Sequence, residues 1–158
     1  LSDQEKGDWG RRVLYLVIVS SILGNFAAAW LAQRFGYRRV IAVMSVGYFL
    51  AMMTCYAVER PHEQLYYLLA LPGFFQGLFA LYTMYLPPLF PTLLRTTGAG
   101  FCFNAGRVLA SAAPFLTGWL VTVLGSFNSA ASAIALIYLL GLAILPLATE
   151  TNGRPLPE

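Results

Sequence analysis

The chain has 158 residues, of which 58% are hydrophobic and 11% charged, with a mean hydropathy of +0.66. A soluble domain carries roughly 25% charged residues, so this deficit excludes an ordinary water-soluble fold and indicates spans in lipid. The formal charge of +3 is small, and no basic cluster interleaved with aromatics occurs, so nucleic acid is not an expected partner.

Residues 1–10 (LSDQEKGDWG) are polar and acidic and read as an inter-helix loop, with Trp9 at an interface. No signal-peptide layout precedes the first apolar run and the first residue is not methionine, so the chain reads as an excerpt. Residues 13–32 form that first run, about 20 residues, the length that crosses a hydrocarbon layer of about 30 Å. Ser21 and Asn25 share a face in it, beside Ser20. Two readings stay open for them, interhelical hydrogen bonding and ligand contact. The turn Ala32–Arg39 holds Arg34, Arg38 and Arg39, the charge pattern of a cytoplasmic loop. Residues 40–58 form a second span with few polar side chains beyond Ser45, Tyr48 and Thr54, and are expected to face lipid.

Val58–Gln64 reads as an outside loop holding the single histidine, His62. Residues 65–86 form a third span, with Tyr66, Tyr67, Tyr82 and Tyr85 near its ends as an aromatic belt. Pro72 and Gly73 predict a kink within it. Gly73 and Gly77 have the spacing of close helix packing. Gln76 falls about 16 Å into the span by helical rise, where an amide needs polar partners. Pro87–Thr97, carrying Arg95, returns the chain to the inside. Residues 98–124 form a long fourth span, Gly125–Asn128 a short outside turn, and residues 129–148 a fifth span. The expected fold class is all-α and integral to the membrane, with five transmembrane helices.

The fourth span carries a charge in its middle. Counted from Gly98, Arg107 lies about 14 Å into the layer, close to its midplane. A charge there costs at least about 2.5 kcal/mol on insertion scales, so it faces protein or a water-filled cavity. Asn104, Arg107 and Ser111 repeat at i, i+3 and i+7 and share one helical face. Gly98, Cys102, Gly106, Ala110, Pro114 and Gly118 form a second stripe of small or narrow residues that admits a close neighbour. Arg107 has two open readings: a cavity residue with Asn104, Ser111 and Gln76, or a structural cation satisfied by carbonyls or by an acid elsewhere.

Every acid lies outside the spans: Asp3, Glu5, Asp8, Glu59, Glu63, Glu150 and Glu158. No nucleophile with its base and no metal-ligand set can be assembled inside them, so neither an enzyme, a metal nor a cofactor is expected. Cys55 and Cys102 fall in different spans and read as small core residues.

The stretch Phe90–Arg107 (FPTLLRTTGAGFCFNAGR), followed by Pro114 in mid-helix, resembles the tenth-to-eleventh helix region of the major facilitator superfamily. It is most similar to the bacterial sialate and aromatic-acid proton symporters. Trp30–Arg39 (WLAQRFGYRR) resembles the superfamily's signature loop in its second copy, between the eighth and ninth helices. Arg34, Gly36, Arg38 and Arg39 match that pattern. Gln33 stands at its aspartate and Ala29 at its leading glycine, so the family's charged latch is weakened here. Pro88 stands where related transporters usually have an acid. The tail TETNGRPLPE resembles the family's ending after the twelfth helix, with Glu150, Gly153 and Arg154 matching.

The resemblance covers nearly the whole chain. It implies that residues 1–158 are a partial C-terminal six-helix half, helices eight to twelve of a twelve-helix fold, without helix seven and the N-terminal half. It implies secondary active transport by alternating access. The substrate cavity would be lined by Arg107, Asn104, Ser111, Gln76, Asn25 and Ser21. Gln33, Arg34, Gly36, Arg38, Arg39, Arg95 and Glu150 would form a cytoplasmic gating loop, with Glu150 paired to one of the arginines. The location implied is the bacterial inner membrane, C-terminus cytoplasmic. The partners implied are the lipid bilayer, a small-molecule substrate and a proton whose coupling carboxylate belongs to the other half. A midplane guanidinium favours an organic anion such as a sialate or aromatic acid. A neutral sugar or metabolite, or a non-transporting membrane sensor or scaffold of the same fold, is the alternative.

Overall fold

The computed structural model describes residues 3–153 and residue 157. Arg154 and Glu158 of the tail motif lie outside the described residues, as do the side chains of Asp3 and Lys6. Among the described residues all regular structure is helical. Five helical segments are long and apolar enough to cross a membrane: Gly7–Phe35, Tyr37–Tyr56, His62–Leu89, Arg95–Leu124 and Phe127–Leu147.

α1 runs Asp3–Phe35. Residues 3–10, expected as a loop, are instead its first turns. Polar side chains continue a helix in water without desolvation, and acidic residues suit the positive N-terminal end of the helix dipole. Asp8 also accepts from Arg11, one turn further on. At 33 residues α1 is about 50 Å long, well beyond the thickness of a bilayer core. Gly36 ends it in a conformation at φ 91° and ψ 150°, and α2 follows over Tyr37–Tyr56.

The third span is built from α3 (His62–Leu68), α4 (Ala70–Phe75) and α5 (Leu78–Tyr85), then a 3₁₀ turn at Pro87–Leu89. Its hydrogen-bond ladder is interrupted on both sides of Pro72–Gly73, at Leu69 and at Gln76–Gly77. The second break shows as i→i+3 bonds from Gly77 to Phe74 and from Ala80 to Gly77. The kink signal at Pro72 is therefore realised as two loosened turns. Helix α6 (Arg95–Ala110) begins before Gly98, so Arg95 is its first residue rather than a loop residue. A break at Ser111–Ala112 separates it from α7 (Ala113–Leu124), which has Pro114 in its first turn, where no N–H is missed. Gly125, at φ 72°, closes α7. Ser126 then caps α8 (Phe127–Ala135) by accepting from the Asn128 N–H at 3.2 Å. Helix α9 (Ile137–Ile144) and a 3₁₀ turn at Leu145–Leu147 complete the fifth span.

The core forms around α2, which corrects the expectation that this span faces lipid. Val40, Ile41, Met44, Ser45, Ala51 and Cys55 are all buried, and α2 packs on α1, α3, α4, α5, α8 and α9. Burying an apolar side chain out of lipid brings no hydrophobic gain, so an apolar composition suits the core and the lipid face equally.

Packing of α1 on the third span depends on absent side chains. A Cβ at Gly24 would lie 1.8 Å from the Phe74 carbonyl oxygen, one at Gly77 2.4 Å from the Gly24 backbone, and one at Gly73 3.1 Å from the Val17 carbonyl oxygen. Gly73 and Gly77 are thus used for close helix approach, with Gly24 as their counterpart. The small-residue stripe of the fourth span behaves differently. Gly98 sits under the Phe90 ring, but Gly106 and Gly118 have nothing within 4 Å among the described residues. No described residue of α6 or α7 is buried.

Candidate functional site

One end of the bundle gathers the α1–α2 turn, the start of α6 and the tail. Its geometry begins at Gly36. The region at φ 91° and ψ 150° is open essentially to glycine alone, and a Cβ there would lie 2.7 Å from Glu150 Oε2. With that side chain absent, the Glu150 carboxylate reaches the first two residues of α2. The Tyr37 N–H donates to Oε1 at 2.9 Å and the Arg38 N–H to Oε2 at 3.0 Å. These are N–H groups that a helix start leaves without internal partners, and the carboxylate brings negative charge to the positive end of α2. Thr151 and Asn152 N–H groups also donate to Oε1, each at 3.1 Å. Burial pushes the Glu150 carboxyl up. The backbone hydrogen bonds from Asn152, Arg38, Tyr37 and Thr151 together outweigh it and hold the group below its ordinary value.

The expected pairing of Glu150 with an arginine is therefore corrected. No ion pair joins it to Arg34, Arg38, Arg39 or Arg95 among the described residues, because backbone donors take its oxygens. The Arg38 guanidinium donates to the Pro146 carbonyl at 2.9 Å. Arg34 lies over the Trp30 ring, 5.8 Å from its centroid. Arg39 is exposed with no hydrogen-bond partner among the described residues. Gln33 takes part through its backbone: its carbonyl accepts from Asn152 Nδ2 at 3.2 Å. Tyr85 Oη donates to the Thr149 carbonyl at 2.7 Å, and Arg95 donates to the Pro157 carbonyl at 3.3 Å. The tail thus touches both the 33–39 turn and the start of α6.

Arg107 occupies the other place of interest. It is exposed in the second half of α6, its guanidinium 5.3 Å from the centroid of the Phe103 ring. Asn104 Nδ2 donates to the Gly100 carbonyl at 2.9 Å and Ser111 Oγ to the Val108 carbonyl at 2.7 Å. These side chains turn to their own helix. Gln76, exposed at the α4–α5 break, has no side-chain hydrogen bond among the described residues, and neither have the half-buried Ser21 and Asn25. Asn25 and Gln76 both flank the glycine crossing of α1 with the third span. Helix α6 instead packs on the Pro87–Leu89 turn and α5. No hydrogen bond joins the Arg107 group to Gln76, Ser21 or Asn25 among the described residues.

Sequence reasoning missed the cap that Glu150 places on α2. The residues involved are 112 and 113 positions apart, and no local pattern marks a backbone donor. The one available signal was a glycine between two helices with an acid in the tail. Cys55 is buried as expected, whereas Cys102 is exposed. His62 opens α3, exposed, with its ring 5.9 Å from that of Trp9.

No family model matches the chain. It is 32% identical over 104 residues to the cis,cis-muconate transport protein of Acinetobacter baylyi, covering 64% of this chain and 24% of that protein. It is 27% identical over 141 residues to a probable 4-methylmuconolactone transporter of Cupriavidus pinatubonensis, covering 89% of this chain and 33% of that protein. Over 61 residues it is 43% identical to an inner membrane metabolite transport protein of Escherichia coli, covering 35% of this chain and 14% of that protein. The chain therefore spans a third or less of the length of these relatives. It is a helical chain with five segments able to cross a membrane, similar to bacterial proteins named as transporters.

Proposed function

We propose that this chain is the larger part of one half of a secondary transporter that moves small organic carboxylates by alternating access, coupled to protons. The observation that carries the reading is its similarity to transport proteins across most of its length, one of them named for muconate. The chemistry of the fourth span supports it. Arg107 stands about 18 Å along a helix that begins at Arg95, deep within any bilayer. Its guanidinium matches a carboxylate in charge and through two parallel hydrogen bonds. In this reading Asn104, Ser111 and Gln76 supply neutral donors around it, with Ser21 and Asn25 on the opposite wall. The rest of the transporter covers the exposed face of α6 and α7. The turn with Arg34, Arg38 and Arg39 lies in the cytoplasm, where positively charged loops are retained, and the tail lies beside it. All seven acids lie outside the expected spans, so the coupling carboxylate belongs to the other half.

The test is uptake of radiolabelled cis,cis-muconate and nicotinate by the full-length protein in proteoliposomes with an imposed proton gradient. Wild type accumulates at least one of them, and collapsing the gradient stops it. Arg107→Gln weakens apparent affinity by about tenfold or more, the scale of one charge-assisted hydrogen bond, while the protein still reaches the membrane. Arg107→Lys retains part of it. Unchanged affinity in Arg107→Gln removes the anion-binding role, and no uptake of any small organic acid removes the transport reading.

A further inference from the structure

The bundle end described above holds an open cleft of about 710 Å³ that the capping of α2 does not fill. We infer that it binds the phosphate headgroup of an anionic phospholipid. Its lining combines two chemistries, cationic in Arg34, Arg38 and Arg39 and apolar in Ala42, Leu142 and Leu145. Among the described residues the only acid in the lining is Glu150. Its oxygens are directed at the backbone of α2, so it neutralises no guanidinium. Arg38 is held by the Pro146 carbonyl. Arg34 and Arg39 remain, both exposed and without a hydrogen-bond acceptor among the described residues. The start of α2 is already capped, so the two guanidinium groups, and not a helix end, carry the site.

Depth identifies the ligand. Phe35 ends α1, Tyr37 begins α2, and Leu147 ends the fifth span, so the cleft opens at the level where hydrocarbon gives way to headgroups. The arginines match a phosphodiester by charge and by bidentate geometry. Ala42 lies one turn into α2 and Leu142 near the end of α9, deeper than the arginines, where they would meet the first carbons of an acyl chain. A free phosphate has no use for those apolar residues. A basic pocket between helix ends at the membrane surface is a recurrent form of headgroup site. This inference stands apart from the identity of any transported solute.

Native mass spectrometry of the full-length protein tests it, with phosphatidylglycerol and phosphatidylcholine of identical acyl chains added in equal amounts. Wild type retains phosphatidylglycerol in preference by about fivefold or more, the effect of a single arginine at a lipid surface. The preference disappears in Arg34→Gln/Arg39→Gln and survives in Arg11→Gln/Arg12→Gln, whose arginines lie near the opposite end of α1. Arg34→Lys/Arg39→Lys, which keeps the charge, retains part of it and guards against a folding artefact. Equal retention of the two lipids by wild type overturns the inference, as does a preference that survives the Gln double variant. Displacement of the lipid preference by millimolar inorganic phosphate also overturns it, because the site then takes a free anion.

Discussion

The second and fourth spans have the same mean hydropathy, yet a third of the most apolar window in the second is buried and none of that in the fourth. α2 lies among six other helices, with Met44 2% exposed. α6 and α7 touch only their sequence neighbours closely and expose Leu109 to 78%. The charge makes the contrast sharper: α2 has arginines only at its start, whereas α6 carries Arg107 well inside. Length and hydropathy decide that a segment crosses a membrane. Which neighbour it meets there depends on small residues and on shape, because lipid and protein interior are about equally apolar.

The largest expected effect tests the close approach that supports the buried region. Gly24→Leu would drive a side chain into the backbone of α4, which has no rotamer by which to give way. A loss of more than about 3 kcal/mol is expected, seen as failure to recover folded full-length protein from mild detergent. Recovery with an unchanged melting temperature would mean that the α1–α4 crossing is looser than described.

Next in size is a matched pair of truncations. Met44→Ala in α2 should cost about 2–5 kcal/mol, as large-to-small changes in a packed core do. Leu109→Ala in α6 should cost less than about 1 kcal/mol, because its side chain has little to leave behind. Thermal unfolding of both variants in one detergent measures the gap. Equal costs would break the comparison and assign α6 a packed partner in the intact protein.

The end of the bundle gives a smaller effect with a pH signature. Gly36→Ala should cost about 1–3 kcal/mol from backbone strain alone. Glu150→Gln keeps one carbonyl acceptor but removes the charge facing the helix dipole, for a loss of about 1 kcal/mol. The sign with pH follows from the lowered folded-state value. The carboxylate's contribution is full above its ordinary value of 4.5 and is lost as pH falls through the lower folded value. Wild type should therefore lose stability over that acidic window more than Glu150→Gln does. Parallel acid profiles for the two proteins would mean that the cap contributes nothing.

How much of this was legible follows from the range of each interaction. All five spans were readable because about 20 apolar residues in a row have few other uses. Their ends were less so, as at residues 3–10, where polar turns prolong α1 into water. Pro72 announced the irregular third span, whereas the break at Leu136 between α8 and α9 carries no proline or glycine to mark it. The tail motif drew attention to Glu150, but charge matching pointed to guanidinium groups when the partners are backbone N–H groups of α2. The depth of Arg107 could be counted along the chain. Its surroundings could not, since they depend on which helices meet α6.

The smallest expected effect is the one that bears most directly on those surroundings. Gly106 sits one position before Arg107 in the small-residue stripe, and a Cβ built there meets no described atom within 4 Å. On the described structure Gly106→Ala costs nothing and gains up to about 1 kcal/mol, because alanine loses less backbone freedom in a helix than glycine does. The same change at Gly77 meets the Gly24 backbone at 2.4 Å and must destabilise. Melting temperatures of the two alanine variants in the full-length protein therefore separate an idle glycine from an occupied one. A rise or no change for Gly106→Ala leaves that face of α6 open to water or lipid. A fall comparable to that of Gly77→Ala would mean that another helix packs against the stripe, with Arg107 beside the contact rather than facing open space.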